Sequence, residues 1–511
     1  MSDLARILAL PRRTTPPAGT ETLAELLGPL RPVQAQALAE GWLCRGLLAP
    51  ISVGGGKTLV TFLLPRLLQS HRPVLLVPAA LREKTRRDWA DYSARGWRVS
   101  PVEIVSYELL GREQSANLLD RLQPDLIMAN EAHRLKNRRA ACTRRVARWM
   151  REHPDTPFAA LSGTLISRSV RETSHLALWA LGDRSPLPTT WSLLQELADA
   201  TDADGWVSPS PRILQALGPN IRESIRRRIL ETPGVVASHP RDGCAAGLRL
   251  VDWECALPDT IRIALAELRD TWATPNGDLI TRAVDLWRHA RDIAQGFFYR
   301  WVPPPPPQWL DARAAWKRFV RETLKYSRTL DSEAQVARAH AKNRDLAAWR
   351  AVRDTYVPDT VPEWLDHSVV REAAAWARNT GGIVWVDRRA VGDALERHGV
   401  PYYGRRGERE GQHIEDASGP IAASVAANST GRNLQRWRDA LVLAPPSSGA
   451  RWEQMLGRLH REGQKADTVR FFVHLASIEH MAAFEKALDD AVYQQNILGK
   501  EQKILLADVE D

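Results

Sequence analysis

The sequence predicts an α/β protein with two parallel sheets and a largely helical stretch between them. Three observations carry this expectation. Short apolar runs alternate with helix-length stretches over about 46–181, and the same alternation returns over about 382–475. The strand candidates are apolar along their whole length, as strands are when helices cover both faces of a parallel sheet. Between the two regions, 182–380 reads as mostly helical, is broken by prolines and is too long for a loop.

At 511 residues the chain exceeds one ordinary core and suits two or three domains. Apolar residues make up 44% and charged residues 26%, which excludes wholesale disorder. The formal net charge of +9 favours an anionic partner. Cys44, Cys142, Cys244 and Cys255 are scattered without a close pair, which argues against a disulfide framework or a zinc knuckle. Residues 1–20 hold no long apolar core, and no apolar run is long enough for a bilayer. A cytoplasmic, membrane-free setting is therefore expected.

In chain order, the first set of strand candidates is 46–52, 73–78, 102–107, 125–130 and 158–162, with helices expected over 57–69 and 138–150. The second set is 382–386, 420–425, 440–444 and 468–475. The expected organisation is an N-terminal extension (1–29), a first sheet domain (30–181), a Trp- and Pro-rich insert (182–380), and a second sheet domain with a C-terminal helix (381–511).

The sharpest local signal is Ser52-Val53-Gly54-Gly55-Gly56-Lys57-Thr58, placed between a strand and a helix. Such glycines let backbone N–H groups face a phosphate, and the helix N-terminus adds its dipole. Lys57 then reaches the β- and γ-phosphates of ATP, and the Thr58 hydroxyl ligates Mg²⁺. The full phosphate-loop pattern wants an earlier glycine where this chain has Ile51 or Ser52, so the match is to the shorter Gly-Lys-Thr form. A second candidate, Asn130-Glu131-Ala132-His133, closes the strand at 125–130. There Glu131 suits the polarising of an attacking water, while neutral Asn130 stands where an acid would hold the metal. The third is Gln454 to Gln464, in which Arg458 and Arg461 are three residues apart and, on one helix, share a face.

Taken in order, Gly56-Lys57-Thr58, Asn130-Glu131-Ala132-His133, Ser162-Gly163-Thr164 and Gln454…Gly457-Arg458…Arg461-Glu462-Gly463-Gln464 resemble superfamily-2 helicases and translocases. The closing Gly-Arg-x-x-Arg-x-Gly-Gln form is most similar to the Swi/Snf-type branch, and the compact length with a Pro-rich insert resembles bacteriophage-encoded members. The resemblance covers about 30–181 and 380–480. It implies two RecA-like lobes, ATP with Mg²⁺, and movement along nucleic acid, with duplex DNA expected. It further implies that Gln34, in Leu30-Arg31-Pro32-Val33-Gln34, reads the adenine. Pro78-Ala79-Ala80-Leu81 and Ser106-Tyr107-Glu108 resemble the family's strand-tracking motifs. Gly431, in Ser429-Thr430-Gly431-Arg432-Asn433-Leu434, resembles the motif that touches both nucleotide and nucleic acid. Glu131, Gln454, Arg458 and Arg461 take catalytic roles; Gln34, Gly54, Gly55, Gly56, Lys57, Thr58 and Gly431 hold nucleotide; Thr58, Asn130 and Glu131 hold metal. Two positions depart from the family: Asn130 replaces its Asp, and Leu165 replaces the usual Pro after Ser-Gly-Thr.

Two surfaces complete the reading. Arg134, Lys136, Arg138, Arg139, Arg144, Arg145, Arg148 and Arg151 form a one-sided basic run suited to phosphate contacts, or else a solvated helix face. Nineteen Trp residues stand against eight Phe and eight Tyr, enough to supply base stacking as well as core. The run Pro303–Pro307 is expected to be a stiff strut or a protein-partner loop. The leading functional expectation is an ATP-driven DNA translocase or helicase. The alternative is a hydrolysis-deficient, nucleotide-gated DNA-binding scaffold of a replication or recombination complex, which Asn130 favours.

Overall fold

The computed structural model describes residues 2–202, 209–238, 244–404, 414–429, 431–499 and 501–510. The chain divides into two compact units. The first comprises Met1–Gly243, Val320–His340 and Asp490–Gln502; the second comprises Cys244–Phe319, Ala341–Asp489 and Lys503–Asp511. Both are mixed α/β with a parallel sheet, as the alternating pattern predicts.

In the first unit the strands are β1 (Leu47–Ala49), β2 (Pro73–Val77), β3 (Glu103–Ser106), β4 (Leu126–Asn130) and β5 (Phe158–Leu161). They form a sheet of order β1-β5-β4-β2-β3, parallel at every pairing. Successive side chains of a strand point to opposite faces, and here both faces are covered. Leu48, Val74, Leu76, Val105, Ile127 and Ala129 enter one apolar core, while their neighbours Leu47, Leu75, Val77, Ile104, Leu126 and Met128 enter another. This is why the strands read as unbroken apolar runs. Residues 234–236 pair with the free side of β1: Leu48 N–H donates to the Gly234 carbonyl at 2.8 Å and Val236 N–H to the Leu48 carbonyl at 3.0 Å.

The second unit contains β6 (Gly247–Asp252), β7 (Phe297–Trp301), β8 (Thr360–Trp364), β9 (Ile383–Val386), β10 (Tyr402–Tyr403), β11 (Ile421–Ser424), β12 (Asp439–Val442), β13 (Thr468–Val473) and β14 (Asp508–Glu510). Seven of them form a parallel sheet of order β10-β11-β9-β12-β13-β6-β14, and β7 pairs antiparallel with β8. The stretch 182–380 therefore contributes three strands, and it is shared between the units. β6 escapes an apolar-run search because exposed Arg249 interrupts Gly-Leu-Arg-Leu-Val-Asp, whose leucines alone face inward. The five-proline run is also shorter as an irregular segment than expected, since Pro307 opens the helix Pro307–Tyr326. Proline suits a first helical position, where its missing N–H costs nothing.

The basic run is corrected as well. Its helix, Ala141–Glu152, is no solvated face: Val146, Trp149 and Met150 pack into the core of the first unit. Arg145 is buried with Asp331 in a two-bond pair, Nε to Oδ2 at 3.1 Å and a terminal nitrogen to Oδ1 at 2.9 Å. Each of the two side chains is only 1% exposed. Arg145 also donates to the Leu110 and Arg112 carbonyls, and Arg148 meets Asp331 at 3.1 Å. Segment Val320–His340 is thus tied to the first unit through charge.

Removing one partner of such a pair leaves an uncompensated buried charge. Asp331→Ala is expected to destabilise the first unit by roughly 3–5 kcal/mol. Urea denaturation of the full chain measures this, and a midpoint equal to the parent's would contradict the role given to the pair.

Candidate nucleotide-binding site

Register places the candidate residues of the first unit. In the pairing of β1 with β5, Ala49 stands opposite Leu161, and in that of β4 with β5, Asn130 stands opposite Leu161. The carboxyl ends of three adjacent parallel strands thus lie in one row, where ligands of open α/β sheets bind. The segment beyond β1 is Gly54–Lys57, that beyond β4 is Glu131–His133, and that beyond β5 is Ser162–Thr164. Ser162 N–H donates to the Ala49 carbonyl at 3.1 Å, which binds the third segment to the root of the first.

Lys57 begins the helix Lys57–Leu67, and Gly56 caps it in the left-handed region at φ 76°. Gly54 is left-handed too, at φ 90°. Such a backbone suits glycine, and Gly55 N–H closes the turn on the Ser52 carbonyl at 3.1 Å. Lys57 is buried, with Nζ 3.1 Å from the Ile51 carbonyl and 3.0 Å from that of Ser52. Gln34 sits directly on the loop: its Nε2 donates to the Gly56 carbonyl at 3.1 Å, and its Oε1 accepts from Arg31 N–H at 2.9 Å. Arg31 in turn donates to the Gly54 carbonyl at 2.8 Å. A Cβ on Gly56 would stand 2.0 Å from Gln34 Nε2, so the Gln34 side chain would have to move to admit one.

Asn130 and Glu131 are both buried at the end of β4, and Glu131 adopts φ 59°, ψ 50°. That left-handed turn is uncommon for a residue with a Cβ and redirects the chain as the strand ends. The Ser162 hydroxyl donates to Glu131 Oε2 at 3.2 Å, and it accepts from Thr164 N–H at 3.2 Å. With its one proton spent, it also accepts from His133 Nδ1 at 2.9 Å, which places a proton on that ring nitrogen. His133 Nδ1 lies 3.3 Å from the same Glu131 oxygen. One side of the Glu131 carboxylate is therefore fixed by two groups. The Tyr107 hydroxyl donates to the Asn130 carbonyl at 2.9 Å; burial first, then the Glu131 charge, pushes its pKa well above the usual tyrosine value. Asn130 Oδ1 is buried without a hydrogen-bond partner among the described residues. A lone acceptor oxygen beside Glu131 suits a hydrated Mg²⁺, and Thr58 lies at the start of the adjacent helix. Among the described residues no group of three or more His, Cys, Asp or Glu side chains could hold a metal by itself.

In the second unit, Gln454 and Arg458 lie on the helix Gly449–Leu459, both buried. The expectation that Arg458 and Arg461 share a helix face is corrected, because the chain leaves the helix at His460, with ψ 83°, and Arg461 follows in a turn. The two guanidiniums converge by another route. Arg458 donates to the Arg432 carbonyl at 3.2 Å; Arg461 donates to it at 3.4 Å and to Asn433 Oδ1 at 2.6 Å. Gly431, at φ 71°, opens that loop, and Thr430 lies outside the described residues. The two sequence motifs of this unit thus form one hydrogen-bonded corner.

No protein-family model matches the chain, and no curated protein sequence matches it either.

One supporting residue escaped the sequence reading. Ser238 Oγ accepts from Ser52 N–H at 2.7 Å and donates to Ser52 Oγ at 2.8 Å, holding the start of the phosphate-type loop. The signal was the short apolar run after Pro233-Gly234, which pairs with β1. The tight seat of Gly56 yields a test. Gly56→Ala adds left-handed strain of roughly 1–2 kcal/mol to a steric clash. A lowered melting temperature is expected, partly recovered in Gly56→Ala/Gln34→Ala, where the clash is relieved but the strain stays. A Gly56→Ala protein melting with the parent would contradict this packing.

Proposed function

We propose that the protein is an ATP-dependent DNA translocase or helicase, with the two sheets as RecA-like lobes. The observation that carries the reading is the row formed by Gly54–Lys57, Asn130-Glu131 and Ser162–Thr164 at the ends of adjacent parallel strands. It sets a phosphate-type loop and a carboxylate held by Ser162 and His133 at the same end of strands that only β5 separates.

In this reading, Lys57 Nζ exchanges its two neutral carbonyl partners for phosphate oxygens, with which a charge-assisted bond is stronger. Gln34, on the loop backbone, reads the base edge and reports base binding to Gly56. Mg²⁺ supplies charge neutralisation on the phosphates, with Thr58 and Asn130 as the groups that would hold it or its waters. Glu131 orients the attacking water and takes up its proton, and the bond from Ser162 keeps the carboxylate pointed. Gln454, Arg458 and Arg461 enter through the resemblance, as groups that would stabilise the transferring phosphoryl, and Gly431 enters as one that would hold nucleotide. The positive net charge agrees with a nucleic-acid partner, duplex DNA in this proposal. Among the described residues no helix is long and apolar enough to cross a membrane.

A second reading, a nucleotide-gated scaffold that hydrolyses poorly, is favoured by one feature, the uncharged Asn130. Phosphate release with and without duplex DNA at saturating Mg²⁺ tests both. DNA-stimulated release that disappears in Lys57→Ala is the expected outcome; release unaffected by that substitution would remove the loop from the reaction. Asn130→Asp adds a charge beside the metal position, so a higher rate or a lower Mg²⁺ requirement is expected. An inactive parent alongside an active Asn130→Asp variant would replace the motor by the scaffold.

A further inference from the structure

The basic helix Ala141–Glu152 has a second consequence. Between it and the Ser327–Asp331 stretch lies a cavity of about 300 Å³ in the first unit, lined in part by Arg138, Arg144, Arg148, Arg151, Arg328 and Asp331. Asp331 is the only carboxylate among the lining residues, and it is already engaged by Arg145 and Arg148. Arg151 has a weak exposed partner in Glu152 at 3.4 Å. The other contacts do not cancel charge: Arg144 donates to the Leu324, Ser327 and Leu330 carbonyls, and Arg148 to those of Ala116 and Thr329. Neutral carbonyls fix the direction of a guanidinium and leave its positive field intact.

Two further details point to a ligand. Arg144 Nε is buried with no hydrogen-bond partner among the described residues, an unmet donor at the cavity wall. Arg138 donates from Nε to His175 Nδ1 at 3.2 Å, while His175 Nε2 lies 2.9 Å from the Leu135 carbonyl. That arrangement needs a neutral ring with its proton on Nε2. Burial accounts for the neutrality, pushing the His175 pKa down to about 4. The field is thus set by arginines and holds across neutral pH. A converging group of guanidiniums around an open cavity selects tetrahedral, multiply charged oxyanions, which offer several acceptors to planar donors. The volume equals the share of roughly ten liquid waters, room for one or two phosphate groups.

We propose that this cavity is a phosphate-binding site separate from the Gly54–Lys57 loop, taking either a free oligophosphate or a phosphate of a nucleic-acid backbone. The test uses Arg151→Glu/Arg328→Glu, both exposed and neither holding the buried pair, with Arg151→Lys/Arg328→Lys as the charge-preserving control. Pyrophosphate is titrated calorimetrically in a Lys57→Ala background, so that the loop contributes little. A fluorescent duplex is titrated by anisotropy against the otherwise native chain at fixed ionic strength. The glutamate pair is expected to weaken at least one probe by ~10-fold or more, while the lysine pair stays near the parent. Loss confined to pyrophosphate identifies a free oligophosphate site, and loss confined to duplex identifies a backbone contact. Unchanged affinity for both probes overturns the site. DNA-free phosphate release in the otherwise native glutamate variant should match the parent, which separates this site from the nucleotide site.

Discussion

Parallel pairing of β1 with β5, and of β5 with β4, is the constraint on which the candidate site depends. Three segments far apart in the chain leave the sheet at the same end because Ala49, Leu161 and Asn130 stand opposite one another. A shift of one residue would turn every side chain of a strand from one core to the other, so packing on both faces holds the register. The apolar runs that looked merely like strands are thereby what aligns the loop, the carboxylate and Ser162.

Hydrogen bonds then refine what register begins. Lys57, Glu131 and Asn130 are all buried polar groups, which are costly unless partnered. Carbonyls of the loop meet Lys57, and Ser162 with His133 meets Glu131. Asn130 Oδ1 stays unpartnered among the described residues, and this local cost is what a hydrated cation would relieve. Elsewhere in the same unit, Asp331 offsets Arg145 and leaves the neighbouring arginines as a cationic surface. The same helix therefore serves packing on one side and charge on the other.

Much of this was legible in the sequence. Nine strands were visible as apolar runs, because helices on both faces make every position apolar. The loop was visible because glycines at left-handed positions precede Lys57. What stayed hidden has physical causes. β6 carries Arg249 outward, β10 has only two residues and β14 begins and ends on an acid, so none shows a run. The fate of the basic run turned on Asp331, nearly two hundred residues away, whose pairing no local pattern encodes. The shared face of Arg458 and Arg461 failed because the helix ends before Arg461, although both still meet at the Arg432 carbonyl. Ser238 was obscured because its role comes from an unusual strand-like neighbour of β1.

A crystal structure of the full chain with a non-hydrolysable ATP analogue and Mg²⁺ tests the central claim most directly. The expected result is triphosphate density on Gly54–Lys57, Lys57 Nζ moved from the Ile51 and Ser52 carbonyls to phosphate oxygens, and the cation's water within hydrogen-bond reach of Asn130 Oδ1. A nucleotide bound elsewhere, or none bound while Lys57 keeps its two carbonyl partners, would contradict it.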